Sequence, residues 1–130
     1  AAREIVIQEN NNGKVITVFG CGGNKDKTKR PVMGEFATSL SDYSIITSDN
    51  PRFEDPMEII DEILKGIKSR NNFEIIENRE EAIKRGIEFS KRGDIVLICG
   101  KGRETYQEVN GVKKHFDDKE FVQKYSALAK

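Results

Sequence analysis

A chain of 130 residues with 36% hydrophobic and 34% charged residues has the size and composition of one globular domain. Because 22 basic residues balance 22 acidic ones, the chain lacks the net positive charge on which nucleic-acid binding and membrane-surface docking generally depend. Only two cysteines and no apolar stretch of roughly 18 residues argue against a disulfide scaffold, a signal peptide and a membrane span. We therefore expect a cytoplasmic protein with neither nucleic-acid nor membrane partners.

The first 13 residues combine a short apolar patch with three consecutive asparagines, and we interpret them as a linker, a frayed helix or an artificial boundary. The domain itself is expected to span 14–130. Within it, four short apolar segments rich in β-branched residues predict strands that are buried on both faces. These segments are 14–19, 43–48, 73–76 and 94–99.

Between the predicted strands, apolar residues at helical spacing indicate amphipathic helices whose apolar faces belong to the core. The apolar faces consist of Val32, Met33, Phe36, Ala37 and Leu40, then Met57, Ile60, Ile63, Leu64 and Ile67, then Ala82, Ile83 and Ile87. Pro31 and Pro56 stand where a first helical turn begins. Asp55 and Asn78 suit N-caps, and Gly93 suits the end of the third helix.

Strands that alternate with helices predict right-handed βαβ units. The fold class that follows is α/β: a Rossmann-like three-layer domain with a mostly parallel sheet flanked by helices. Near the C-terminal end, Asn110-Gly111 between two strand-like segments indicates an antiparallel hairpin, which we expect to form an edge of the sheet. Asp117 or Asp118 then caps a terminal helix.

Ligands of open parallel sheets bind beyond the carboxyl ends of the strands, so the loops there are the first candidates for a site. The first such loop, Gly20–Arg30, combines glycines, which let backbone amides approach an anion, with several cations. It is neither a Walker A loop nor a complete dinucleotide fingerprint. Two interpretations of this loop remain open: it binds phosphate, or it is a solvated basic loop.

The second loop contains Asp49, Asn50, Pro51 and Arg52. An arginine fork suits a carboxylate, and an aspartate supplies the opposite charge for an ammonium group, so the pair suits a zwitterion. The alternative is an Asx-type turn into the next helix, with Arg52 in solvent.

The third loop begins at Gly100 and contains Glu104, which could face the same crevice as Asp49. Its alternative is a flexible turn into the hairpin. His115 has no nucleophile nearby in the sequence and is expected to be structural or exposed. Cys21 and Cys99 lack the spacing of a metal site, so we expect reduced thiols and no metal ligands.

Four motifs, in this order and spacing, resemble the carboxy-terminal domain of the Mur ligases, and most closely the members that add the third residue of the peptidoglycan stem peptide. They are GCGGNKDKTKRPVMGEFA (20–37), SDNPRFEDP (48–56), GDIVLICGKGRETYQ (93–107) and FDDKE (116–120). The DNPR segment is the most specific, because it resembles the family's recognition motif for meso-diaminopimelate.

The resemblance implies part of an ATP- and Mg²⁺-dependent amide-forming ligase that adds meso-diaminopimelate to UDP-MurNAc-L-Ala-D-Glu. The N-terminal and central domains of such an enzyme are absent here, so no catalytic residue is expected in this chain. The implied substrate-binding residues are Lys25, Asp49, Asn50, Pro51, Arg52, Gly100 and Glu104. The implied nucleotide-binding residues are Asp26, Lys27, Lys29 and Arg30.

Two departures from the family pattern leave the substrate open. Lys25 stands where diaminopimelate-adding members carry an arginine, and Arg103 replaces the histidine of the usual GKGHE motif. A close analogue with the same two ends, such as lanthionine, therefore remains an alternative. A lysine-adding ligase of the same family and a stand-alone small-molecule sensor are further alternatives.

Overall fold

A five-stranded sheet with helices on both faces forms the centre of the computed structural model, which describes residues 4–8, 13–68, 72–100 and 104–129. The elements are β1 (Glu4–Gln8), β2 (Val15–Phe19), α1 (Lys29–Leu40), β3 (Tyr43–Ile46), α2 (Pro56–Leu64), β4 (Phe73–Ile75), α3 (Arg79–Phe89), β5 (Ile95–Cys99), β6 (Tyr106–Val109), β7 (Val112–His115) and α4 (Asp118–Ala129). The strand order is β1-β5-β2-β3-β4, and β2 to β5 run parallel. The predicted α/β class is confirmed.

The first strand corrects our interpretation of the N-terminal segment. Glu4–Gln8 is neither a linker nor a frayed helix, because it pairs antiparallel with β5 along its whole length. One edge of β5 pairs with β2, and the short apolar patch forms the strand that pairs with the other edge. Residues 1–3 and 9–12 lie outside the described part of the chain.

The predicted hairpin is confirmed, but its predicted place is wrong. Asn110 and Gly111 have φ angles of 51° and 80°, as a two-residue hairpin turn requires. The strands β6 and β7 form a separate two-stranded sheet, because β1 already occupies the edge beside β5. A β-bridge between Arg52 and Val109 is one of the contacts between the hairpin and the loop that follows β3.

Two hydrophobic clusters cover opposite faces of the sheet. On one face, Ile83 and Ile87 of α3 and Tyr125 of α4 pack against the strands. On the other face, Ile60 and Ile63 of α2 are fully buried. The core predictions for α2 and α3 are therefore confirmed at these positions, whereas Met57 is exposed.

The core prediction for α1 is wrong at four of its five positions. Val32, Met33, Phe36 and Leu40 are 42–77% exposed, whereas Ala37 is partly buried and packs against the core. The helix instead buries Arg30, Gly34 and Thr38. A Cβ atom at Gly34 would lie 2.3 Å from the Ile63 carbonyl oxygen, so α1 approaches α2 through a glycine. Close backbone approach at a small residue, rather than burial of the larger apolar ones, decides which face of α1 points inward.

Helix starts were predicted better than helix ends. Asp55 and Asn78 are N-caps, since their side chains accept hydrogen bonds from the amides of Met57 (2.9 Å) and Glu81 (3.0 Å). The helix α3 ends at Phe89, however, and Gly93 lies in the following turn with a φ of 98°. None of the described helices has the length and apolar character required to cross a membrane.

A buried ion pair joins the carboxyl ends of two strands to α4. Arg79 is 1% exposed and forms two hydrogen bonds to the Asp118 carboxylate, at 2.9 and 2.7 Å. Its guanidinium also donates to the carbonyls of Ser48 (3.4 Å) and Cys99 (3.2 Å). Since each carbonyl directly precedes a predicted site residue, this guanidinium sets the separation of the two loops.

The pair yields a stability prediction. Asp118→Ala leaves the Arg79 charge buried without its carboxylate, so we expect the free energy of unfolding to fall by about 3–5 kcal/mol. Urea denaturation followed by circular dichroism measures the change. Glu120→Ala is the matched control, because Glu120 lies in the same helix turn and its exposed carboxylate pairs with the exposed His115 of β7, and it should cost less than about 1 kcal/mol. Equal losses in both variants would contradict the assigned role.

Candidate functional site

A cleft of about 470 Å³ lies beyond the carboxyl ends of β2, β3 and β5, where the three predicted loops meet. Lys27 and Pro51 do not line it. The other predicted site residues do: Lys25, Asp26, Lys29, Arg30, Asp49, Asn50, Arg52, Gly100 and Glu104. The topology therefore brings together residues that are separated by up to 79 positions in the chain.

Asn50 connects the second and third loops. Its side chain is almost fully buried, and its Nδ2 donates to Glu104 Oε1 at 2.7 Å. Its Oδ1 accepts a hydrogen bond from the Glu108 amide at 3.0 Å. Both ends of the amide are thus used by the protein, which holds the Glu104 carboxylate at the cleft beside Asp49.

Arg52 is held in an uncommon backbone conformation. Its φ of 54° is in the left-handed region, which costs free energy for a residue with a Cβ atom. The hairpin holds this conformation from both sides, since the Arg52 amide donates to Glu108 O (3.0 Å) and the Asn110 amide donates to Arg52 O (2.6 Å).

The Arg52 guanidinium faces the cleft with part of its hydrogen-bonding capacity unused. Its Nη1 donates to Gly23 O at 3.0 Å, and its Nε lies 3.6 Å from a Glu108 carboxylate oxygen. The Nη2 atom makes no hydrogen bond to any residue that the structure describes. The Arg52 side chain is only 19% exposed, so it is held in a fixed orientation and is not surrounded by solvent. In this orientation its guanidinium can bind a carboxylate.

The first loop lies directly against the second. The Gly23 amide donates to Asn50 O at 2.6 Å, and a Cβ atom at Gly23 would lie 1.8 Å from Pro51 O. Glycine is therefore required here by the contact between the two loops. Pro51 is buried at this contact, which explains why it does not line the cleft.

Arg30 does not have the surroundings expected of a nucleotide-binding residue. Its guanidinium is 1% exposed and donates to both oxygens of Glu54, at 3.1 and 2.9 Å. It also donates to Glu62 (2.8 Å) and to Gly22 O (3.0 Å). Because these groups occupy the guanidinium, it supports the loops from within and is poorly placed to bind a phosphate.

The remaining predicted nucleotide-binding residues are exposed. The Lys27 ammonium lies 3.8 Å from a Glu54 oxygen, and Lys29 begins α1 at the cleft. Asp26 accepts hydrogen bonds from the hydroxyl and the amide of Thr28, which lower the pKa of its carboxyl and place it at the start of α1. Lys25 is exposed at the cleft.

Sequence reasoning missed the hairpin as part of the site. Gln107 Nε2 donates to Asp49 O at 2.7 Å, and Glu108 contacts both Asn50 and Arg52. The hairpin signal predicted the turn but carried no information about where β6 would pack. Residues 101–103, which include the departure at Arg103, lie outside the described residues.

The two cysteines are partly buried, and the histidine is exposed. Burial raises the pKa of the Cys21 thiol to about 11, so it remains protonated near neutral pH. Cys21 and Cys99 are not joined by a disulfide. His115 is exposed and contacts Glu120.

The Arg30–Glu54 pair predicts an acid-sensitive element. The Arg30 guanidinium and the Asn24 amide hold the pKa of the Glu54 carboxyl at about 2, below its ordinary value of 4.5. A lowered pKa stabilises the fold above pH 4.5, and this contribution is lost as the pH falls toward 2. We expect Glu54→Gln to cost on the order of 1.5 kcal/mol at pH 7.

The difference between wild type and Glu54→Gln should shrink as the pH decreases from 5 to 2, measured by urea denaturation at each pH. Glu58→Gln is the control, because Glu58 is exposed and lies in the same segment. A difference that is independent of pH would contradict the assigned interaction.

Comparison with known proteins connects this geometry to a family. The model of the "Mur ligase, glutamate ligase domain" matches residues 1–102. Two relatives are named UDP-N-acetylmuramoyl-L-alanyl-D-glutamate–2,6-diaminopimelate ligase. The ligase 1 of Clostridium acetobutylicum is 51% identical over 91% of this chain and 24% of its own length. That of Clostridioides difficile is 54% identical over 83% of this chain and 22% of its own.

The fold comparison agrees. A solved structure of a UDP-N-acetylmuramoyl-L-alanyl-D-glutamate–2,6-diaminopimelate ligase superimposes with a TM-score of 0.85 and 44% sequence identity. The match covers 92% of this chain and 24% of that one, so the chain spans about a quarter of the length of its relatives. The family match over most of the chain and the shared fold show that this chain belongs to the Mur ligase family.

Proposed function

We propose that this chain is the amino-acid-binding domain of a ligase that adds meso-diaminopimelate to UDP-MurNAc-L-Ala-D-Glu in peptidoglycan synthesis. The observation that carries the proposal is the oriented Arg52 guanidinium at the cleft, whose Nη2 has no partner among the described residues. The names of the similar ligases support the same substrate.

The substrate has an amino-acid group at each end, and the cleft offers a complementary arrangement. Arg52 binds the distal carboxylate, which diaminopimelate has and lysine lacks. The carboxylates of Asp49 and Glu104 attract the ammonium group, and Asn50 fixes the position of Glu104. Lys25 supplies a second positive charge for the carboxylate, and Gly100 contributes a main-chain contact.

When bound in the longer enzyme, ATP would supply the phosphoryl group that activates the D-glutamate side-chain carboxylate, with ADP released, and Mg²⁺ would neutralise the phosphate charge. Attack by the amine would then form the amide and release inorganic phosphate. Of the residues predicted to contact the nucleotide, Lys27 and Lys29 fit phosphate binding, because their ammonium groups are exposed beside the cleft. Asp26 shapes the turn that presents them. Arg30 does not fit, since two carboxylates already occupy it.

In this mechanism the domain contributes positioning. It holds the incoming amine at a fixed place while the N-terminal and central domains of the longer enzyme bind the UDP-linked substrate and the nucleotide. Closure of the domains then brings the amine to the activated carboxylate and excludes water. By itself, the 130-residue chain binds the amino acid and catalyses nothing.

Substitution of Arg52 tests the substrate. Arg52→Ala should weaken the binding of meso-diaminopimelate by about 1.5–3 kcal/mol, the contribution of a hydrogen bond to a charged group, and should leave lysine binding nearly unchanged. Calorimetric titration of the chain measures both, and KM from ADP release by the full-length ligase provides a second measurement.

Two comparisons complete the test. Arg52→Lys keeps the charge without the fork and should lie between wild type and Arg52→Ala, whereas Arg92→Ala, an exposed arginine outside the cleft, should change neither affinity. Equal losses for meso-diaminopimelate and lysine would refute the assignment. Lanthionine that binds more tightly than meso-diaminopimelate would change the substrate but keep the role of Arg52.

A further inference from the structure

The hairpin that contains β6 forms hydrogen bonds to the loop of Asp49–Arg52. The Glu108 amide donates to Asn50 Oδ1, and the Glu108 carbonyl accepts from the Arg52 amide, both at 3.0 Å. The Asn110 amide donates to the Arg52 carbonyl at 2.6 Å. These contacts use the main chain of the hairpin, so its register determines where the loop lies.

Gln107 adds a side-chain contact to the same loop. Its Nε2 donates to the Asp49 carbonyl at 2.7 Å, and it does so across 58 positions of the chain. Gln107 is half-buried, and it is not among the residues that line the cleft. It therefore touches the loop without facing the space where a ligand would lie.

The Asp49 carbonyl belongs to the peptide that joins Asp49 to Asn50, so a donor on this oxygen fixes the plane of that peptide. The plane sets the directions in which the Asp49 and Asn50 side chains leave the main chain. Asn50 in turn holds Glu104 at 2.7 Å. The hydrogen bond from Gln107 thus contributes to the relative placement of both carboxylates at the cleft.

Arg52 depends on the same support. Its left-handed backbone persists only while the surrounding structure compensates for its cost. Only Pro51 separates Asn50 from Arg52, and it allows little movement because its φ is fixed and it is buried against Gly23. A shift at the Asp49–Asn50 peptide is therefore transmitted to the guanidinium.

We propose that Gln107 is a positioning residue of the amino-acid site, which sets the affinity for the two-headed amino acid through the Asp49–Asn50 peptide without contacting the ligand. This inference rests on the proposed function for the identity of the ligand. The placement of the loop by Gln107 is a separate statement and has its own measurement.

Two variants remove the hydrogen bond in different ways. Gln107→Met keeps the length of the side chain and loses the donor, whereas Gln107→Glu places a carboxylate against the Asp49 carbonyl. Lys114→Gln is the matched control, because Lys114 pairs directly with Gln107 across the hairpin and is exposed. Each variant is examined in the 130-residue chain, with its thermal unfolding midpoint recorded.

Calorimetric titration with meso-diaminopimelate gives the first readout. We expect Gln107→Met to raise Kd about fivefold to tenfold, Gln107→Glu to raise it further, and Lys114→Gln to leave it unchanged. The unfolding midpoint should change little in all three. If Gln107→Met binds like wild type, or if it lowers the midpoint strongly with Kd unchanged, the inference is overturned and the proposed function stands.

Nuclear magnetic resonance of the ligand-free chain gives the second readout. In Gln107→Met, the side-chain amide signals of Asn50 and the Nε–Hε signal of Arg52 should shift and exchange faster with water, because the loop loses its support. If wild type binds no meso-diaminopimelate, the proposed function fails. The signals of Asn50 and Arg52 then decide the positioning role alone, and unchanged signals would overturn it.

Discussion

A single buried guanidinium links the parts of this domain that must stay at fixed distances from one another. Arg79, at the start of α3, binds the Asp118 carboxylate at the start of α4 and the carbonyls of Ser48 and Cys99. A buried charge is tolerated only when it is paired and hydrogen-bonded, so these four elements are constrained together. The loops that follow β3 and β5 start from this common point, which is why their polar side chains meet at one cleft.

A second arginine has a similar role nearer the surface. Arg30 binds Glu54 and Glu62, and Glu54 in turn accepts a hydrogen bond from the Asn24 amide. The pair thereby joins the glycine-rich loop to the start of α2. Of the three arginines that the structure describes at this end of the sheet, Arg79 and Arg30 bind protein carboxylates, and Arg52 keeps an Nη2 without a partner among the described residues. These partners support the proposal that Arg79 and Arg30 are structural and that Arg52 is the arginine available to a ligand.

The loops of the site also stabilise one another. The glycine-rich loop lies against Pro51, the hairpin holds Arg52, and Asn50 joins the hairpin to Glu104. Pre-organisation of this kind lowers the entropy lost when a ligand binds. It suits a domain whose proposed contribution to a ligase is to present an amine at a fixed position. The exposed apolar side chains Phe36 and Leu40 of α1 line a second cavity beside β2 and β5.

Periodicity and helix caps in the sequence were sufficient to predict the alternating strands and helices, the parallel sheet and the hairpin, because these features depend on neighbouring residues. The same local information failed for Glu4–Gln8, whose strand exists only through pairing with β5, and for α1, whose buried face depends on the close approach of Gly34 to Ile63. The motifs predicted that these loops carry the site, and the topology brings the loops together at one cleft. Only the tertiary structure showed that the Arg30 guanidinium is hydrogen-bonded to carboxylates and that Gln107 donates a hydrogen bond to the Asp49 carbonyl. Partners that are distant in the chain leave no periodic signal in the sequence.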